Sequence, residues 1–400
     1  YATPDTAPDE AQAQKLQHAI DRLGLKPGMD MRSRTVDTGL SQIPESLLQE
    51  QMVAREATAW LRQQRHHHPD QPWLLYASFS RPHFPLTAPS RHFDRYYPDG
   101  VTDPCVGRTG DSANHPMTVG AVLGFRTEEI APEEGRRARA AYFACVDFLD
   151  EILGDFLTTL DRDGFLDNTV IIYTSDHGEL AGEHDLWWKN TWHEAASRIP
   201  LIVSLPEHRS GRLSPSVVDD PVSLGDLFPT LCGLSGADAP EGLDGIDLSD
   251  AIQGDSCAAL RDRPGVITES LAPRWGKGTE FRMLRTRSHK YIAFRGCDDL
   301  CFDLVSDPNE QVNVLRNGAD REMDTLRETI LAGFDFDETE ERRKAETEAW
   351  KAEYPARFVA QTPNQIVLGN GRLVEADAPL CNPDVLSTNL ARDLDDWTNE

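Results

Sequence analysis

Apolar residues Leu47, Leu48, Met52, Val53, Ala57 and Leu61 recur at helical spacing through SLLQEQMVAREATAWLRQQR, with Ser46 placed to cap, so an amphipathic helix is expected over 46–65. After the loop HHHPDQP, the run WLLYASFS (73–80) is short, apolar and bounded by proline, which predicts a buried strand. It stops at RPHFP, where two prolines forbid further regular structure. From Glu134 to Arg162, the residues Tyr142, Phe143, Val146, Leu149, Leu153, Phe156, Leu157 and Leu160 form one apolar stripe, the mark of a long helix. The Asp-Gly of DRDGFLDN ends it, and TVIIYTS follows as the most strand-like segment of the chain.

Strand, helix and strand alternate, so the pattern predicts an α/β fold with a mostly parallel sheet and helices on its faces. RIPLIVSLP (198–206) repeats the strand signal, and the helical VSLGDLFPTLCGLSG comes after it. From about Asp262 the texture changes to short runs broken by turns (VITES, FRMLRTRSHKYIAF, LCFDLVSDP), which predicts a small antiparallel sheet. The expected division is an α/β domain over 1–260, an antiparallel subdomain over 261–334, and a charged helix with extended tail over 335–400. Residues 1–45 read as loop with short helical pieces, and no internal repeat is found.

Composition narrows the chemistry. Lys+Arg number 40 and Asp+Glu 67, a formal net charge of −27. That surface repels nucleic acid and anionic membranes, which favours small-molecule or metal chemistry. No apolar run approaches the roughly 20 residues needed to span a bilayer, and the first residues lack the apolar stretch of a signal peptide. Seven scattered cysteines contain no C-x-x-C pair, so they are expected to be reduced and the chain to be cytoplasmic, with a periplasmic or secreted protein as the alternative because the sequence does not begin with Met. Cys297 and Cys301 could pair only where their local geometry allows it, and the reduced state is expected.

The densest chemistry lies in YTSDHGELAGEHDLWWKN (173–190). Ligands of open α/β sheets bind beyond the carboxyl ends of strands, and TVIIYTS delivers Asp176 and His177 there. Carboxylate oxygen and imidazole nitrogen suit a divalent cation, but a strand-end Asp before Gly178 serves equally as a cap or turn residue. Lys189, between aromatic Trp188 and Trp192, offers a point charge to an anion where a solvated surface lysine is the plain alternative. His83, held between the prolines of RPHFP, suits a ligand-binding imidazole or a structural histidine alike. His184 and His193 lie near enough in sequence to touch a substrate, while Glu183 and Glu194 suit hydrogen bonds that hold the loop. His66, His67 and His68 read as a solvated run.

These segments, in order, resemble the sulfatases of the alkaline phosphatase superfamily, of arylsulfatase, choline-sulfatase and iduronate-sulfatase type. The set is WLLYASFSRPHFPLTAP (73–89), YFACVDFLDEILGDFLTTLDRDGFLDNTVIIYTSDHGE (142–179), GEHDLWWKN (182–190), SRIPLIVSLP (197–206), VSLGDLFPTLCGLSG with the later LDGIDL (222–248), RTRSHKYI and LCFDLVSDPNEQVNVL (285–315). The resemblance implies an alkaline-phosphatase-like three-layer sandwich with a mainly parallel mixed sheet plus the small C-terminal antiparallel subdomain. It implies that Asp176 and His177 ligate a divalent cation, Ca²⁺ first with Mg²⁺ or Mn²⁺ as alternatives, and that His83 and Lys189 bind the sulfate or leaving-group oxygens. The implied substrate is a small-molecule or saccharide sulfate ester.

The chain departs from the family at the nucleophile. Sulfatases use a formylglycine made from the first residue of Cys/Ser-x-Pro-x-Arg, and an earlier Asp-Asp pair completes the metal shell; neither stands in a fitting place here. Thr87-Ala-Pro-Ser-Arg91 has the Pro and Arg spacing but follows RPHFP, where the nucleophile does not belong, and Asp219-Asp220 comes too late. The resemblance therefore leaves two expectations: that a nucleophile-bearing N-terminal portion lies outside these 400 residues, or that the chain is a non-catalytic binding protein. Phosphonate monoester and phosphodiester hydrolases share the cluster and form the enzymatic alternative. The long tail is expected to meet a neighbouring subunit.

Overall fold

The computed structural model describes residues 35–353 except Gln42 and Pro273, together with the backbone of two short strands at 365–367 and 373–375. The expected tail contact between subunits falls outside the described residues, as does most of 1–45.

The helix Pro132–Arg162 is the spine of the molecule. Proline opens it where no N–H is needed, and the Glu134 carboxylate reaches back to accept from the Ala131 N–H at 2.8 Å. Its stripe of Ala138, Ala141, Ala144, Cys145, Phe148 and Ile152 is buried. The small residues at its N-terminal half admit close backbone approach by a two-residue parallel ladder, β1 (Gly39–Leu40) with β2 (Thr87–Ala88). Helix Gln49–His67 crosses the same spine, where Leu48 and Ala54 meet Phe148 and Ile152, and Leu61 meets Leu160, Phe165 and Leu166.

β3 (Ile171–Thr174) and β4 (Leu201–Ser204) lie where TVIIYTS and RIPLIVSLP predict strands, and they pair antiparallel with Ile171 opposite Ser204. A parallel pair needs a crossover connection, usually a helix, whereas the 175–200 segment between these strands is loop with two short helical turns, Glu183–Asp185 and Glu194–Ser197, so the chain simply returns. Trp73–Ser80 is extended but belongs to no ladder among the described residues. Trp73, Leu75 and Phe79 pack onto the helices, while Leu74 and Tyr76 on the other face are 72% and 87% exposed.

The C-terminal antiparallel sheet is present as expected. β5 (Val266–Ser270), β6 (Phe281–Arg285), β7 (His289–Phe294) and β8 (Leu300–Asp303) form a meander in sequence order. Alternation divides its side chains by face. Phe281, Met283, Ile292, Phe294, Leu300 and Phe302 enter the main core with Met117, Phe125 and Trp192, so one hydrophobic core runs across position 260. Leu284, Tyr291, Ala293 and Cys301 face helix Arg321–Leu331 through Met323 and Ile330. Helix Phe336–Glu353 is the charged helix foreseen. The six described cysteines, Cys297 and Cys301 included, are free thiols, and no described helix is long and apolar enough to cross a membrane.

Candidate active site

β3 ends at Thr174, and the next residues turn out of the sheet. Ser175 Oγ donates to the His177 carbonyl at 2.9 Å, and the His177 N–H donates to Asp176 Oδ1 at 3.0 Å. Gly178 is obligatory there, because a Cβ would stand 2.1 Å from the Ala195 carbonyl oxygen. His177 Nδ1 lies 2.9 Å from the Gly178 carbonyl, which only accepts, so Nδ1 carries the proton and Nε2 keeps a lone pair. That Nε2 faces Asp176 Oδ2 at 3.3 Å, and the Asp176 side chain is 79% exposed. A lone pair and a carboxylate aimed at one another repel unless a proton or a cation sits with them. The donor set of one hard oxygen and one oriented imidazole nitrogen fits a divalent ion. Among the described residues no group of three or more His, Cys, Asp or Glu side chains could hold a metal ion.

His83 approaches from the other direction. Its Nδ1 is likewise fixed on a carbonyl, Phe84 O at 2.9 Å, and its ring centre lies 6.5 Å from His177 and 6.5 Å from Trp188. Burial pulls its pKa down, as do Lys189 and His177, against the raising effect of the Phe84 carbonyl and Asp176. Lys189 Nζ sits 5.8 Å from the Phe84 ring centre and 5.7 Å from that of Trp188. Desolvation is the main cause of its lowered pKa, opposed by Glu179 and Asp176 and reinforced by Arg274. Asp176, His177, His83 and Lys189 are thus brought together.

The Lys189 turn is strained. Ala181, His184, Asp185, Trp188 and Asn190 all have φ between 46° and 74°, five of the seven non-glycine residues with positive φ. Such conformations persist only where surroundings over-determine them. Here Glu179 Oε1 accepts from the Ala181 and Trp188 N–H groups, and burial raises its pKa. Glu183 accepts from the Cys105 and Val106 N–H groups and pairs with Arg139, while Trp275 Nε1 donates to the Asn190 carbonyl at 2.6 Å. Further along, Lys290 is wholly buried and donates to the Trp192 carbonyl at 2.8 Å while pairing with Glu194 at 2.6 Å and Glu310 at 2.8 Å.

His184 and His193 do not line this group. Their rings lie against one another, tilted, with centres 4.1 Å apart, and are 7% and 1% exposed. Burial drives the His184 pKa down to about 4 and that of His193 well below its ordinary value. His66, His67 and His68 are exposed at a helix end. Thr87 is buried within β2, Arg91 is engaged by Glu45 and Glu151, and Asp220 is engaged by Arg287, so none of these behaves as a catalytic group. Glu179, Lys290 and Glu310 were missed in the sequence. Lys290 and Glu310 hold backbone 98 and 116 residues away, which no local spacing marks, while Glu179 holds the nearby Ala181 and Trp188 N–H groups.

Residues 8–237 match the sulfatase family model, and residues 182–332 match the model for the C-terminal region of N-sulphoglucosamine sulphohydrolase. The chain is 28% identical over 294 residues to an arylsulfatase of Clostridium perfringens, covering 72% of this chain and 58% of that one. It is 30% identical over 287 residues to a choline-sulfatase of Rhizobium meliloti, covering 70% and 54%. The chain therefore spans little more than half the length of these curated relatives. Among solved structures, the phosphonate monoester hydrolase of Agrobacterium radiobacter superposes with a TM-score of 0.62 at 23% identity, over 92% of this chain and 73% of the other. A second, at TM-score 0.55 and 18% identity, covers 74% of this chain and 70% of its own; it was solved with its substrate D-glucosamine-2-N,6-O-disulfate. These two likenesses establish the fold.

Proposed function

Because the chain belongs to the sulfatase family, we propose that Asp176, His177, His83 and Lys189 form the metal-and-anion half of a site that hydrolyses a sulfate monoester. The observation that carries the reading is the His177 tautomer: Nδ1 is committed to a backbone carbonyl, so Nε2 is free beside Asp176 Oδ2 as a ligand pair. A bound divalent ion, Ca²⁺ in the first instance, supplies positive charge to the sulfate and leaving oxygens as negative charge builds there. Lys189, desolvated between Phe84 and Trp188, binds a sulfate oxygen and fixes the ester in place. His83, with Nδ1 anchored on Phe84 O, turns Nε2 towards the site, where its imidazolium form would bind a sulfate or leaving-group oxygen. A new S–O bond to the nucleophile's oxygen forms as the S–O bond to the alcohol breaks, and with one water consumed overall the products are inorganic sulfate and the alcohol. The nucleophile, a formylglycine hydrate in this reading, comes from sequence other than these 400 residues. His184 and His193, buried against one another, support the turn instead of touching the ester.

The test is cation binding by the chain and its Asp176→Asn variant, followed by calorimetry with calcium or by terbium luminescence. Loss of binding in the variant is expected, and undiminished binding sinks the ligand assignment. In the complete protein, turnover of an aryl sulfate in preference to an aryl phosphonate monoester supports the reaction class, and the reverse preference moves it to the phosphonate hydrolases.

A further inference from the structure

Beside Lys189 lies a second cation that the four-residue group leaves out. Trp275, tied by Nε1 to the Asn190 carbonyl, packs on Phe125 at 4.6 Å between ring centres, and Phe125 in turn stacks by Trp188 at 6.4 Å. Gly124 makes room for the indole and Gly120 for the Trp275 backbone, since a Cβ at Gly124 would stand 2.6 Å from the ring and one at Gly120 2.2 Å from the Trp275 carbonyl oxygen. Arg274 is thereby carried to the Lys189 turn on a rigid aromatic stack, with its guanidinium 5.2 Å from the Trp275 ring centre.

Other arginines around the site are engaged by acids: Arg139 by Glu183, Arg285 by Glu194, and Arg295 by Glu280, Asp337 and Glu340. Among the described residues no carboxylate pairs with Arg274, and its solvent-accessible guanidinium makes only the contact with Trp275. Arg274 and Lys189 are close enough for the arginine's charge to act on the lysine, and neither has a carboxylate within ion-pair distance among the described residues. Two like charges held together raise one another's energy, and an anion placed between or across them relieves it. The planar guanidinium, unlike an ammonium, matches a carboxylate or sulfate with two parallel hydrogen bonds.

We propose that Arg274 binds a second anionic group of the substrate, so that the preferred esters carry a carboxylate or a second sulfate in addition to the sulfate held at Lys189. The inference rests on the sulfate-site reading above and adds the class of alcohol to it. Three probes separate the cases: phenyl sulfate, 4-carboxyphenyl sulfate and 1,4-phenylene bis-sulfate, titrated into the 400-residue chain with calcium present and followed by tryptophan fluorescence. Binding of either dianionic probe about tenfold tighter than phenyl sulfate is expected, and which of the two is tighter identifies the second group as carboxylate or sulfate. Arg274→Ala is expected to bring the ratio of dissociation constants to about one, with Arg274→Lys retaining part of it. Equal binding of all three probes by the wild-type chain, or a ratio that survives Arg274→Ala, overturns the proposal alone. If none of the probes binds, and Lys189→Ala is therefore silent too, the sulfate-site reading itself fails and takes this inference with it.

Discussion

Lys290 shows how a residue remote in sequence governs the candidate site. Its ammonium is fully buried, yet it satisfies Glu194, Glu310 and the Trp192 carbonyl together, so charge and hydrogen bonds are both matched. Lys290→Met is expected to cost about 3 to 5 kcal/mol, because it leaves two carboxylates facing each other without the cation between them. Chemical denaturation monitored by tryptophan emission reads that loss, and a change under about 1 kcal/mol contradicts the account. Asp176, His177 and Lys189 could be picked out of the sequence because their chemistry is local, a strand end followed by a turn. Lys290 and Glu310 could not, because 98 residues separate Lys290 from the carbonyl it holds. His184 and His193 were placed near the substrate by sequence proximity, and the left-handed backbone of His184 is what turns the chain so that both rings point inward.

At the scale of elements, the strained 181–190 turn carries His184, buried against His193, and this makes it sensitive to acid. Unfolded, His184 titrates near 6.5; folded, burial holds it down to about 4. A depressed folded pKa means that the unfolded chain takes up the proton first. The stabilisation is therefore whole above pH 6.5, falls as pH drops from 6.5 towards 4, and levels below that. Thermal midpoints are expected to fall across that window, and His184→Gln to flatten the fall; a profile unaltered by the substitution rules out His184 as its source. Strand existence was readable from apolar runs at Ile171–Thr174, Leu201–Ser204 and through the C-terminal meander. Direction was not, because the antiparallel return of β3 and β4 depends on the 26-residue loop between them having no crossover helix, a non-local property. Trp73–Ser80 likewise reads as buried on both faces, and only the face on the helices is covered among the described residues.

For the molecule as a whole, exposed apolar side chains on chain segments near the sheet are a liability. Among the described residues, Leu74 and Tyr76 project from a segment that joins no ladder, and Ile202 on β4 is 60% exposed. Unpaired extended segments with apolar side chains recruit other strands. The 400-residue chain is expected to self-associate with rising concentration, and Tyr76→Lys to shift light scattering towards the monomer; a monodisperse monomer at high concentration contradicts this. The net charge of −27 opposes such association and is weakest as a brake at high salt, where scattering should be greatest.

The Lys290–Glu310–Glu194 cluster has a consequence for how this architecture can be altered by recombination. The turn that bears Lys189 takes its shape from β7 and from the loop after β8, so the C-terminal sheet is not an accessory that can be exchanged freely for another. A graft that brings a new sheet with new specificity must import a lysine and a glutamate at these two places, or it inherits the site residues without the scaffold that aims them.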